Sequence, residues 1–230
     1  MKSKILIILT TFFALNLSFG QTSCSQYYPM VEGATFEYTS YDKKGGEEGK
    51  INYKVTNVTG SGDNISATMV MDISDKKGNT YSSEYDIMCD GNVVKVDFKS
   101  LMNEQMLSQM GDIEMDITGT DIEWPNSLNV GQSLPDGNLN VKMKMSGAIN
   151  MNMNVETINR KVEKQESVTT PAGTFDCYVV YSETKTKMMV GNQVSPSRVW
   201  LSEGVGMVKQ ESYNKSGKLM TSSMLTQFSK

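Results

Sequence analysis

The chain has 230 residues, 38% of them hydrophobic, with 22 basic and 26 acidic side chains, a net charge of −4 and no histidine. The acidic balance argues against nucleic acid and against anionic membrane surfaces, which recruit clustered Lys and Arg. Without histidine the chain lacks the commonest general base, the commonest metal ligand and every Ser-His or Cys-His nucleophile.

Residues 1–20 read as a leader. Lys2 and Lys4 form a positive start, Ile5 to Leu17 an apolar run, and Ser18-Phe19-Gly20 a cleavage region before Gln21. The expectation is an exported protein, periplasmic or extracellular, with a cleaved signal peptide. A lipid anchor at Cys24 is the weaker alternative, because polar Gln21 stands three positions earlier, where an acylated cysteine has an apolar residue. No later run reaches the roughly 18 consecutive apolar residues of a membrane-spanning helix. Residues 21–230 are expected to form a single β-rich domain, with 20 basic against 26 acidic residues once Lys2 and Lys4 are gone, a net charge of −6.

Export makes a disulfide possible, and three cysteines leave one over. Cys24 and Cys89 sit at segment ends beside the turn signals "SQYYP" and "DGN", and are expected to pair with each other. Cys177, in "TFDCYVVY", shares a face with Phe175, Val179 and Tyr181 and reads as a buried thiol.

Alternation with a period of two runs along most of the chain, the mark of strands with one buried and one wet face. "INYKV" puts Ile51, Tyr53 and Val55 on one face, and "ISATMVMDI" does so with Ile65, Ala67, Met69, Met71 and Ile73. The exception is "SLMNEQMLSQMG", where Met102, Met106 and Met110 recur at helical spacing between Ser100 and Gly111, predicting one short helix at about 100–110. "DIEMDIT" returns to alternation with Ile113, Met115 and Ile117. "VKMKMSGAINMNMNV" reads as one strand with Val141, Met143, Met145, Gly147, Ile149, Met151, Met153 and Val155 on a single face. "DKKGG" at 42–46, "DKKGN" at 75–79, "DGN" at 90–92 and 136–138 and "NKSG" at 214–217 supply hairpin turns. The fold expected is mainly β: a curved antiparallel sheet or open β-barrel of roughly ten or more strands, with the helix packed on it or plugging it.

Three further stretches carry a resemblance. "SVTTPAGTFDCYVV", "RVWLSEGVGMVKQESYNKSGKL" and "YYPMVEGATFEY" are similar to exported Gram-negative envelope proteins called TapB-like, a family of undefined function. The resemblance implies a mostly antiparallel β protein outside the cytoplasm and identifies no catalytic residue. In physical terms Pro171 and Gly173 suit a tight turn, and Gly204 and Gly206 around Val205 suggest a bulge or a close backbone approach.

Chemistry is sparse. Asp112, Glu114 and Asp116 alternate and are the place to seek a glycosidase carboxylate pair, but they lie opposite Ile113, Met115 and Ile117 and so read as a solvated face. "GSGDN" at 60–64 lacks the lysine and helix of a phosphate loop. No enzyme, cofactor or metal site is therefore expected. The 18 methionines allow three readings. They are adaptable core, they line a cavity for an apolar small molecule or lipid, or their MxM pairs hold Cu(I), a soft ion that thioethers bind without histidine. The cavity reading names Met69, Met71, Met102, Met106, Met110, Met143, Met145, Met151 and Met153 as lining. The other function class is a structural or protein-interaction module of the envelope with a packed core; Tyr27, Tyr28 and Tyr41 are candidates for its surface patch, although aromatic residues near a first strand are more often core or edge cover.

Overall fold

The structure, a computed structural model, describes residues 24–96, 113–145, 149–188 and 191–230. The expected leader, and the expected helix with Met102, Met106 and Met110, lie outside the described residues, among which there is no helix. The strands are β1 (Thr35–Asp42), β2 (Glu47–Ser61), β3 (Asn64–Asp75), β4 (Thr80–Asp90), β5 (Val93–Val96), β6 (Ile113–Thr120) and β7 (Ile122–Pro125). They continue as β8 (Gly137–Met145), β9 (Ile149–Thr170), β10 (Gly173–Met188), β11 (Gly191–Ser202), β12 (Gly206–Tyr213) and β13 (Leu219–Ser229).

All 13 form one antiparallel sheet in the order β6-β8-β9-β10-β11-β12-β13-β1-β2-β3-β4-β5-β7. Its two edges, β6 and β7, are consecutive in the chain and joined through Asp121. The polypeptide thus steps from one edge of the sheet to the other, which leaves a nearly closed barrel. At this seam Ile122 packs onto Gly137, where a Cβ would come within 2.8 Å of its Cγ1. Only glycine permits that approach.

The turns follow from Asx chemistry. Asp42 Oδ1 accepts hydrogen bonds from the Lys44 and Gly46 amides, both at 2.8 Å. Asp75 Oδ1 does the same for Lys77 and Asn79, at 2.8 and 2.9 Å. Asn214 Oδ1 repeats it for Ser216 and Lys218. "VKMKMSGAINMNMNV" is not one strand but the β8–β9 hairpin, pairing Val141 with Met153, Met143 with Met151 and Met145 with Ile149.

Residues 24–31 lie across one end of the barrel, where the β2–β3, β4–β5 and β11–β12 turns and the end of β7 gather. Cys24 is disulfide-bonded to Cys89 at the end of β4. The Gln26 amide donates to Asn126 Oδ1 at 2.9 Å and the Gln26 carbonyl accepts from Gly204 at 2.8 Å. Asn126 Nδ2 closes the loop by donating to the Cys24 carbonyl. These bonds tie the exposed Gln26 backbone and the Cys24 carbonyl to the ends of β7 and β11.

The core has two clusters. The larger includes Phe36, Tyr38, Val55, Ala67, Met69 and Leu225 and also takes in Cys177. The smaller holds Tyr27, Leu128, Leu134, Val162, Val180 and Leu201, with Tyr28, Trp124 and Met207 touching both. Val179 and Val180 are both buried, in different clusters, because β10 keeps its alternation, with Cys177 and Val179 in the larger cluster and Tyr178 and Val180 against the smaller, and both of its faces are covered here. Phe175 and Val179 join Cys177 in the larger cluster, and Tyr181 follows in unbroken register with β11; its hydroxyl donates to Glu183 and its ring lies 5.5 Å from the Arg198 guanidinium.

Candidate functional site

Under the crossing segment lies a cavity of about 340 Å³, within the usual size range of small-molecule sites. Tyr28 and Pro29 roof it; Phe36 and Tyr38 (β1), Tyr53 (β2), Met69 (β3) and Tyr85 (β4) line it, with Val94 and Val96 of β5 and Val205, Met207 and Gln210 nearer the β11–β12 turn. The sheet order explains this convergence. Phe36 pairs with Tyr53, Val55 with Met69, and Met69 with Tyr85, so alternate residues of four neighbouring strands share the inner face.

The tyrosines form a connected set. Tyr38 and Tyr53 meet edge to face with centroids 5.7 Å apart, and Tyr53 and Tyr85 at 6.3 Å. Such pairs contribute about 0.5–1.5 kcal/mol each beyond burial. The Tyr38 hydroxyl donates to the Met207 carbonyl at 2.7 Å, fixing its ring against β12. Tyr28 is seated by Gly206, where a Cβ would fall 2.9 Å from Tyr28 Cδ1 and where φ is +90°. Gly206 thus serves both the turn and the close approach that the Gly204-Val205-Gly206 stretch suggests. Burial pushes the pKa of Tyr28, Tyr38, Tyr53 and Tyr85 upward, which keeps these phenols neutral and able to donate.

A second cavity of about 310 Å³ shares Tyr38, Tyr53, Met207 and Gln210 with the first and continues past Ser40, Ser212 and Ser222. Since Ser40 is two residues beyond Tyr38 on β1, the hydroxyl-lined cavity lies next along the same strand face as the aromatic one.

Of the nine methionines singled out in the sequence, Met69 lines the first cavity. Met71 is half-buried, pairs with Tyr53 and is not among the lining residues. Met143 and Met153 are half-buried on β8 and β9, where Met153 borders a separate depression with Lys142, Asn152 and Lys187. For Met145 and Met151 the strand backbone alone is described, and Met102, Met106 and Met110 lie outside the described residues. Sequence reading placed Tyr53 on an inner strand face and named Tyr28 for an interaction surface without giving either to a cavity, and it missed Tyr38, Tyr85 and Met207. The available signal was the run of Tyr28, Tyr38, Tyr53 and Tyr85 on inward positions, visible only once the strands are placed side by side.

Among the described residues no group of three or more His, Cys, Asp or Glu side chains could hold a metal. Cys177 is buried and free, its thiol pushed up to about 12 by burial and by the nearby Asp176 and Glu166 charges. Asp116 is exposed on β6; the Asp112 and Glu114 side chains lie outside the described residues. Because Cys24 Sγ is in a disulfide, that sulfur is not available for a thioether-linked lipid.

The family described as DUF3108-like matches residues 31–225. No curated protein matches the chain at a significant level. Two solved structures share its fold. One, from Bacteroides fragilis, is described as an exported protein by inference, with a YmcC-like fold; it has a TM-score of 0.71 and 21% identity, covering 90% of this chain and 100% of its own. The other, an inferred lipoprotein from Parabacteroides distasonis, has a TM-score of 0.72 and 22% identity over 90% of this chain and 100% of its own.

Proposed function

This chain belongs to the DUF3108-like family; with that as premise, we propose that it is an exported envelope protein that binds an apolar small molecule or lipid inside its barrel, without catalysing a reaction. The observation that supports this is the aromatic cavity under Tyr28 and Pro29, which shares Tyr38 and Tyr53 as wall with a second, hydroxyl-lined cavity. A barrel of this size either fills its interior with side chains or leaves room for one ligand. At roughly 30 Å³ per water, 340 Å³ corresponds to about eleven waters, enough for a medium-length acyl chain or a fused-ring body. The exported and lipoprotein descriptions of the two structural neighbours are in keeping with a place in the envelope, as is the leader at 1–20. The TapB-like likeness of the turn motifs would narrow the family further and changes nothing in the cavity.

The test is to purify the protein from the envelope of its native host without detergent and record its native mass. An added mass that disappears on denaturation supports a carrier, and analysis of the released material names its class. A mass equal to residues 21–230 less two hydrogens, with saturating lipid mixtures adding nothing, favours the structural or protein-interaction module instead.

A further inference from the structure

The inner face of the barrel changes chemistry along its strands. Antiparallel partners share a face, so the register can be followed from strand to strand. One row runs through Leu225, Tyr38, Ile51 and Ile73 on β13, β1, β2 and β3, every side chain apolar or aromatic. Two residues further along β1 the row is Gln210, Ser223 and Ser40 on β12, β13 and β1, and beyond it Ser212 pairs with Thr221. This polar set lines the second cavity, of about 310 Å³.

Ser223 adds an independent observation. Its Oγ is buried and has no hydrogen-bond partner among the described residues, whereas a buried hydroxyl ordinarily has one. Gln210 lines both cavities, and its amide can donate as well as accept. Charge narrows the partner further. Glu48 is the one charged side chain lining the second cavity among the described residues, and Lys76 pairs with it at 2.8 Å. No Lys or Arg lines either cavity, so an anionic head would meet no counter-charge there. A cationic head would find the carboxylate already engaged.

Resting on the cavity-binding reading above, we propose that the occupant is an amphiphile with an uncharged head bearing several hydroxyls. Its apolar body lies among Phe36, Tyr53 and Met69, and its head is received by Ser40, Ser212, Ser223 and the Gln210 amide. A hydroxyl both donates and accepts, which matches a wall of serines and one amide. At roughly 30 Å³ per water the second cavity corresponds to about ten waters, room for a glycerol or one sugar ring. Tyr38, Tyr53, Met207 and Gln210, which wall both cavities, are the residues the ligand passes between body and head.

The test is calorimetric titration of the mature protein with amphiphiles that share a decyl chain and differ at the head, each kept below its micelle concentration. They are 1-O-decylglycerol, decyl β-glucoside, decan-1-ol, decanoate and decyltrimethylammonium. One of the two polyol heads is expected to bind about tenfold or more tightly than the other three compounds, and which one it is names the source, glyceride or glycolipid. Saturating N-phenyl-1-naphthylamine, an apolar probe for the aromatic cavity, is expected to compete with it. Ser223→Ala and Gln210→Met should each cut the preference over decan-1-ol by about threefold or more. Ser223→Ala should also melt no lower than the wild type, because its hydroxyl has no partner to lose. It therefore keeps the test decisive if Gln210→Met fails to fold. Decan-1-ol binding as tightly as both polyols would overturn the head-group inference and leave the apolar cavity standing. A preference that survives Ser223→Ala and Gln210→Met would overturn the assignment to these residues. A polyol that binds alongside the probe without competition would overturn the occupation of both cavities by one ligand. Binding of neither the amphiphiles nor the probe would overturn the cavity reading and this inference with it.

Discussion

Replacing both members of the Cys24–Cys89 bridge with alanine removes the covalent tie between the crossing segment and β4. The two cysteines are separated by 65 residues in sequence. Loop-closure entropy for a ring of that size amounts to about 4 kcal/mol of unfolded-state destabilisation at room temperature. Both positions are buried, Cys24 at 6% and Cys89 at 2% exposure, so the lost sulfur packing adds to this rather than offsetting it. For a domain of this size each kcal/mol shifts the melting temperature by roughly 2–4 °C, so a fall of about 8–16 °C is expected. Urea denaturation followed by tyrosine and tryptophan fluorescence measures it, and the denaturant slope should rise because the unfolded chain is no longer looped. A loss under about 1 kcal/mol with an unchanged slope would refute the reasoning, since a bridge that does not constrain the unfolded chain cannot stabilise the folded one this way. Cys177→Ala is the control: it leaves the oxidised mass two hydrogens short and the slope unchanged.

Gly206→Ala should cost about 1–3 kcal/mol in a thermal melt and weaken ligand binding, because φ is +90° and the new Cβ meets the Tyr28 ring at 2.9 Å. Leu225→Ala, at a fully buried position of the larger cluster, should cost about 2–5 kcal/mol by urea titration. Acid should destabilise the barrel through Glu166, whose carboxylate accepts from Lys164 and from the Trp200 indole and is thereby held below its ordinary pKa. Glu37 adds to this, its upward push from burial being outweighed by hydrogen bonds from Thr226 and Lys50. A carboxylate with a depressed folded pKa stabilises fully above its unfolded value, near 4.3 for Glu, and that contribution disappears as pH falls through the lower folded value. Melting temperatures recorded from about pH 5 down to pH 3 should therefore fall less steeply in Glu166→Gln than in the wild type; parallel curves would remove Glu166 from the acid limb.

The barrel was legible because its two causes are local. Period-two alternation marks each strand, and Asp42, Asp75 and Asn214 each close a hairpin with their own side chains. The disulfide was legible for a related reason, both cysteines standing at segment ends beside turn residues. The 141–155 hairpin was not. Its register pairs odd positions with odd positions, Met143 with Met151, so the apolar alternation passes through the reversal without a break. The cavity was hidden for another reason. Tyr28, Tyr38, Tyr53 and Tyr85 are far apart in the chain and each reads singly as ordinary core, whereas the methionines draw attention by local density. Sheet order turns the scattered tyrosines into neighbours, and that order is a long-range property no short window contains.

The most direct measurement is a titration of the mature protein with the neutral apolar fluorophore N-phenyl-1-naphthylamine, repeated on Met69→Trp and on Ile87→Phe. Both side chains line the cavity, and both substitutions add bulk to its wall. If the interior is the binding site, the wild type binds one equivalent with saturable fluorescence. Each filled variant then loses at least tenfold in affinity while retaining a cooperative melt. Unchanged affinity in both folded variants would place the apolar site elsewhere and contradict a binding function for this cavity.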